Sequence, residues 1–268
     1  MSEEDAIKKL KENFDLKIKE ILNLPEDDTV WNNILSESGE NGDDKSPRNL
    51  SYILSYNSIL KYFSILKFDD KQGLEDLICG CHLIYGWMPT IFNLSKKIEG
   101  KEIKEKKDAL SKLGTECVSI IGKIQRLKDE MVKNENYFKE GDPYFNKDVC
   151  VLRKFVNNSV VGVSKLLHFI NPKIFPIWDS NICRYVIGEN SKTSEYSELY
   201  ALYVKKMYAI VKDEKNDKKI ENLVKTVNGT TESDLAITPM RALELVMFVK
   251  GKQMREEARK NKKQVGHI

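Results

Sequence analysis

The chain is poor in histidine and has no paired cysteine. Its three histidines, His82, His168 and His267, and its five cysteines, Cys79, Cys81, Cys117, Cys150 and Cys183, are scattered, and no CxxC pair occurs. That spacing supports no zinc ribbon, no iron–sulfur cluster and no disulfide framework. No metal and no organic cofactor is expected. Long apolar runs are missing too, and residues 1–20 carry charge throughout, so neither a membrane span nor a secretory signal is expected. The expected location is the cytoplasm, without a membrane partner. Nothing alternates apolar and polar residues over a series of segments, which leaves no strand signal.

What is present is helical periodicity. Ile7, Leu10, Phe14, Ile18 and Ile21 line one face of a helix over 4–22. Ser46 and Pro47 supply a cap and a first helical position, and "NLSYILSYNSILKYFSILKF" is apolar on most sides, as in a buried helix. Asp69 or Asp70 offers a cap for the next helix, which runs through "LEDLICGCHLIYGW" until Pro89 breaks it. A long helix is predicted over 101–135, its seam of Leu110, Leu113, Cys117, Ile120, Ile124, Leu127 and Met131 facing inward because Gly114 and Gly122 interrupt it. "NENYFKEGDPYFNKD" reads as a loop. Helices follow at 148–157, 160–170, 180–187, 194–212, 217–227 and 239–260, the last opened by Thr238 and Pro239. The expectation is an all-α, two-lobed bundle of about ten helices acting as a monomer.

Charge is divided unevenly. Residues 1–45 hold 6 Lys against 13 acids, whereas the whole chain balances at +3. We therefore read 1–45 as an acidic helical extension and 46–268 as the main domain. The final "KGKQMREEARKNKKQVGHI" carries seven bases against two acids. Such asymmetry suits a polyanionic partner at the C-terminal side, and equally a solvated lysine-rich helix.

One stretch concentrates the chemistry, residues 158–188. Val163, Leu166, Leu167 and Ile170 face a core, Asn171 and Pro172 stop their helix, and "KIFPIW" crosses the interior. Asp179 then precedes "SNICRYVI", which Gly188 ends. Two readings of Asp179 stand together: a helix cap, and the single carboxylate of an active site. A carboxylate delivered by an apolar connector to a helix start is held rigidly beside N–H groups that favour its ionised form.

"FPIWDSNICRYV", with "VVGVSKLL" upstream and "LICGCHLIYGWMPTIF" and "MRALELVMFVKG" farther away, resembles the helix-hairpin-helix DNA glycosylases, the HhH-GPD superfamily. The specific part spans about 30 residues. The resemblance implies a glycosylase-like fold that hydrolyses the N-glycosidic bond of a damaged or modified base in DNA, with RNA as the other candidate partner. Asp179 matches the catalytic carboxylate. Lys165 is the candidate second catalytic group, although the family's Schiff-base lysine, counted without gaps, lands near Val161, which implies a monofunctional or inactive member. Gly162, Val163, Ser164 and Lys165 would hold a phosphate, and Arg184 would contact another or pair with Glu189. Tyr85, Trp87, Trp178, His82 and His168 would form a pocket or wedge for the extruded base. The hairpin reads "SVVGVSK", without the proline and second glycine usual in the family. Alternatives remain for each. Lys165 suits a solvated helix face, His168 a core position, Trp87 a helix break, and the whole chain an inactive nucleic-acid-binding module or a helical interaction protein.

Overall fold

The computed structural model describes residues 1–25, 47–68, 73–86, 91–92, 103–125, 143–188, 193–230 and 237–265. Among these, every regular element is helical. The ten α-helices are α1 (Glu3–Leu22), α2 (Pro47–Ile65), α3 (Gly73–Gly86), α4 (Ile103–Gln125), α5 (Pro143–Phe155), α6 (Val160–Ile170), α7 (Ser180–Ile187), α8 (Ser197–Lys212), α9 (Asp217–Thr230) and α10 (Pro239–Val265). Two short 3₁₀ turns, Thr193–Glu195 and Glu214–Asn216, flank α8.

The helices fall into two groups. In the first, α6 is packed against α2, α3, α4 and α5. Its sequence explains that position, because Val163, Leu166, Leu167 and Phe169 leave almost no polar face. In the second, α7 is sandwiched between α1 and α10, with α8 against α1 and α9 against α10. The connector between α6 and α7 joins the groups, and its Ile174, Phe175, Ile177 and Trp178 are all buried, as an interior crossing requires.

Helix α1 is part of the second group's core and does not stand apart as an extension. Ala6, Leu10, Phe14, Ile18 and Ile21 are buried, and the Tyr185 hydroxyl donates to the Glu20 carboxylate at 3.0 Å. Its six acids are nearly offset by five lysines, and the other seven acids of residues 1–45 lie outside the described residues. The proposed boundary at residue 45 lies outside the described residues.

Local chemistry sets most of the ends. Ser2 caps α1, accepting from the Asp5 amide at 3.1 Å. Thr238 caps α10 through the Arg241 amide at 3.2 Å. Gly188, at φ 77°, closes α7 in the left-handed region that a side chain disfavours. The predicted loop at 134–148 is too long: α5 begins at Pro143, which fits the first helical position because it has no N–H to satisfy. Phe145, Val149, Leu152 and Phe155 then line its buried face. A tight turn of Asn157 and Asn158, at φ 51° and 59°, reverses the chain from α5 into α6, and asparagine is among the few residues that tolerate that region. Cys117, Ile120 and Ile124 of α4 are buried as a seam facing inward, whereas Leu127 and Met131 lie outside the described residues. So do Asp69, Asp70 and Ser46.

Candidate active site

Asp179 sits where the apolar crossing ends and α7 begins. Its Oδ1 accepts from the Asn181 amide at 2.8 Å and the Ile182 amide at 2.9 Å. Among the described residues Oδ2 accepts no hydrogen bond, and the residue is half-buried. Cap and candidate catalyst therefore coexist in one side chain. One oxygen fixes the rotamer, and the other accepts no hydrogen bond among the described residues.

Ser164 holds this arrangement from α6. Its hydroxyl donates to the Trp178 carbonyl and accepts from the Trp178 amide, both at 3.0 Å, which clamps the residue preceding Asp179. One position along, Lys165 is half-buried and close enough to Asp179 to be attracted by it. Burial pushes the Lys165 ammonium below its ordinary value; Asp179 opposes that shift, and Arg241 adds to it.

Behind Asp179 lies a set of polar groups that the resemblance did not identify. Glu244 of α10 is fully buried. One of its oxygens accepts from the Ile177 amide in the crossing, the other from the Arg241 guanidinium one turn earlier. Burial raises the Glu244 carboxyl to about 7, against the pull of Arg241 and the Ile177 amide. Burial also works against the Arg241 guanidinium, but Glu244, Tyr56 and Asp179 outweigh it and raise its value. His168 completes the set. Its Nδ1 donates to the Phe175 carbonyl and its Nε2 accepts from the Tyr56 hydroxyl, both at 2.8 Å. A carbonyl only accepts, so Nδ1 carries a proton, and burial beside Arg241 keeps Nε2 without one. Burial, reinforced by Arg241, brings it down to about 3.

A signal for Glu244 did exist in the sequence. In "MRALELVM" the acid occupies a helical core spacing with Met240, Leu243 and Met247, all three fully buried, and an arginine lies three residues before it. An acid on an apolar seam needs a partner, and here it has two.

The other expected site residues are placed as follows. The first turn of α6 is already occupied. Glu195 accepts from the Val160 amide at 2.7 Å and from the Ser159 hydroxyl at 3.1 Å. Ser159 in turn accepts from the Gly162 amide at 3.1 Å, and the Val163 amide is bound to the Ser159 carbonyl at 3.1 Å. Gly162, Val163 and Ser164 are buried. The expected phosphate cradle there is therefore corrected: Ser159 takes the Gly162 and Val163 amides, and Glu195 the Val160 amide before them. Arg184 is half-buried at the surface of α7, with Nη1 3.4 Å from the Asn181 side chain; Glu189 lies outside the described residues.

The aromatics do not converge on an open pocket. Trp178 is fully buried, donating from Nε1 to the Ser194 carbonyl at 3.0 Å, with its ring centroid 4.7 Å from that of Tyr203 and tilted 44° to it. Tyr85 is buried against Gly162, its hydroxyl donating to the Val156 carbonyl at 3.3 Å. His168 is a core residue, as described. His82 is exposed on α3, its ring perpendicular to that of Phe92 with the centroids 5.1 Å apart. Trp87 lies outside the described residues. A groove of about 1090 Å³ between α4 and α5, lined among others by Lys112, Thr115, Glu116, Asn146, Lys147 and Lys154, shares no residue with the cluster.

Among the described residues no group of three His, Cys, Asp or Glu side chains is placed to hold a metal ion, and no helix is long and apolar enough to cross a membrane. No family model, no curated protein and no solved structure matches the chain.

Proposed function

We propose that the protein is a glycosylase-like hydrolase that cleaves the bond between an altered base and its sugar in DNA, with Asp179 as the catalytic carboxylate. One observation carries the reading. Asp179 is a half-buried carboxylate with Oδ1 pinned by two amides and Oδ2 without a hydrogen bond among the described residues, beside a lysine whose ammonium burial pushes below its ordinary value. As the C1′–N bond breaks, its electron pair leaves with the base and positive charge builds on the sugar. A fixed carboxylate beside that carbon lowers the barrier without having to reorganise. Water then adds to C1′, giving up its proton to Asp179, from which it can pass to the departing base. Arg241 and Glu244 brace the crossing behind Asp179, Glu244 through the Ile177 amide. Lys165 lies close enough to Asp179 to offset its negative charge. With Val161 near the family's lysine position, hydrolysis without strand cleavage is the expected outcome.

The test is incubation of the protein and of Asp179→Asn with duplexes bearing a panel of altered bases, followed by alkali. Asparagine caps helices as well as aspartate, so the variant keeps both amide bonds and its fold. Its rate of base release should drop by roughly 10²-fold or more, the scale of losing one fixed electrostatic contact to a transition state. Equal rates in parent and variant would end the assignment of Asp179.

A second reading draws on the buried placement of Trp178, Tyr85 and His168, which leaves no room among them for a base. It makes the protein a nucleic-acid-binding module without chemistry. Salt-sensitive duplex binding with no alkali-labile product from any duplex would select it.

A further inference from the structure

Helix α10 changes character along its length. From Met240 to Val249 it belongs to the core, and at Gly251 it touches α7 so closely that a Cβ there would lie 1.9 Å from the Asn181 carbonyl oxygen. Asn181 is two residues from Asp179 and donates its amide to that carboxylate. Beyond Gly251 the helix runs on to Val265. Met254 and residues Glu256 to Asn261 are exposed, so among the described residues nothing covers this end.

The register carries one face from the site into the projecting end. Glu244, Gly251, Arg255 and Arg259 follow at intervals of seven, four and four, which keeps them within one arc of roughly 80°. The side of α10 that meets the crossing at Glu244 and α7 at Gly251 thus continues outward as an arginine stripe. Lys252 and Lys260 flank it, and the sequence adds Lys262 and Lys263. Against these six bases the stretch holds only Glu256 and Glu257. The Arg255 Nε is shielded from solvent and has no hydrogen-bond partner among the described residues.

We propose that this end of α10, from Lys252 to Val265, is an arm that binds the phosphate backbone of the nucleic acid whose reacting nucleotide meets Asp179. A helix advances about 1.5 Å per residue, so Lys252 to Val265 spans about 20 Å, the reach of several phosphates along one strand. Arginine forks pair with phosphate oxygens in two places at once, and a stripe with spacings of four puts successive forks about 6 Å apart, close to the separation of neighbouring phosphates. The arm takes over the role expected of the first turn of α6, where Glu195 occupies the Val160 amide and Ser159 those of Gly162 and Val163. The class of partner rests on the reading above; the arm does not depend on catalysis.

The experiment measures binding of a random-sequence duplex by fluorescence anisotropy across a salt series. It compares the parent chain, Arg259→Gln with Lys260→Gln, the same pair with Arg255→Gln added, and a control pair, Lys8→Gln with Lys11→Gln, on α1. Glutamine keeps helix propensity, and Arg259 and Lys260 are exposed, so the double variant leaves the core untouched. The slope of log affinity against log salt should become shallower by about two for the double variant and about three for the triple, with no change for the control. An unchanged slope in the double variant overturns the arm. So does retention on phosphatidylserine vesicles without duplex binding, which would reassign the arm to an anionic membrane surface. Base release is scored separately with Asp179→Asn, which should bind with the parental slope. Loss of the enzymatic reading with the slopes as expected leaves the arm standing, and flat slopes with base release intact remove only the arm.

Discussion

Acid should destabilise this fold through His168, by an amount that the structure allows to be worked out. The ring is fully buried, donates from Nδ1 to Phe175 and accepts at Nε2 from Tyr56. A proton on Nε2 would face the Tyr56 hydroxyl and add a second cation near Arg241. The folded state therefore resists protonation down to about 3, whereas the unfolded chain takes the proton near the ordinary 6.5. Below 6.5 the unfolded state binds more protons than the native one, so stability falls as pH falls. Each pH unit in that window costs about 1.4 kcal/mol, so acidifying from neutrality to pH 4 removes about 3 kcal/mol through this one side chain. Glu244 acts in the opposite sense. Its folded value is raised to about 7 from 4.5, so between those values the native state holds a proton that the unfolded chain has released, and stability falls as pH rises. The two groups are separated by substitution. Urea unfolding of the parent and of His168→Gln at pH 7, 6, 5 and 4 should show the gap between the two proteins shrinking by about 3 kcal/mol towards acid, because glutamine has no proton to refuse. A gap that stays constant across the series would refute the buried neutral tautomer.

Two further substitutions probe the same cluster and its support. Glu244→Ala leaves the Arg241 charge and the Ile177 amide without their partner, and should cost about 3–5 kcal/mol in urea unfolding at neutral pH. Replacing both partners, as Arg241→Met with Glu244→Leu, should cost less than Glu244→Ala alone. Gly251→Ala forces a methyl into the Asn181 carbonyl, so α7 and α10 must separate. It should lower stability by about 1–3 kcal/mol or more, read as a fall in Tm, and should lower any Asp179-dependent activity as well.

Much of this architecture can be read from residue order, and the reason is local. Helices α6 and α7 fall where periodicity and punctuation place them, since Ser159, Asn171, Asp179 and Gly188 each act on the backbone within a few residues of themselves. The interior crossing is legible for the same reason, as five apolar residues in a row have no other place to go. What sequence order hides is distance. The carboxylate that fills the start of α6 comes from Glu195, 35 residues downstream, and nothing in "VVGVSK" announces it. Glu244 meets Ile177 across 67 residues, so the brace behind Asp179 could be suspected only from an acid lying on a greasy seam. Aromatic side chains misled for a related cause: Trp178 and Tyr85 are typed as pocket or core only once their neighbours are known.

The placement of α1 has a consequence for how the chain is made. The Tyr185 hydroxyl reaches back 168 residues to the Lys17 carbonyl, so the first helix leaves the ribosome long before α7 and α8 exist to cover it. At about 5–20 residues per second that wait lasts about ten seconds or more, during which Phe14, Ile18 and Ile21 stay wet. Such a segment invites a chaperone or an unwanted neighbour, and its back, dense in charges of both signs, keeps it dissolved until its true partners arrive.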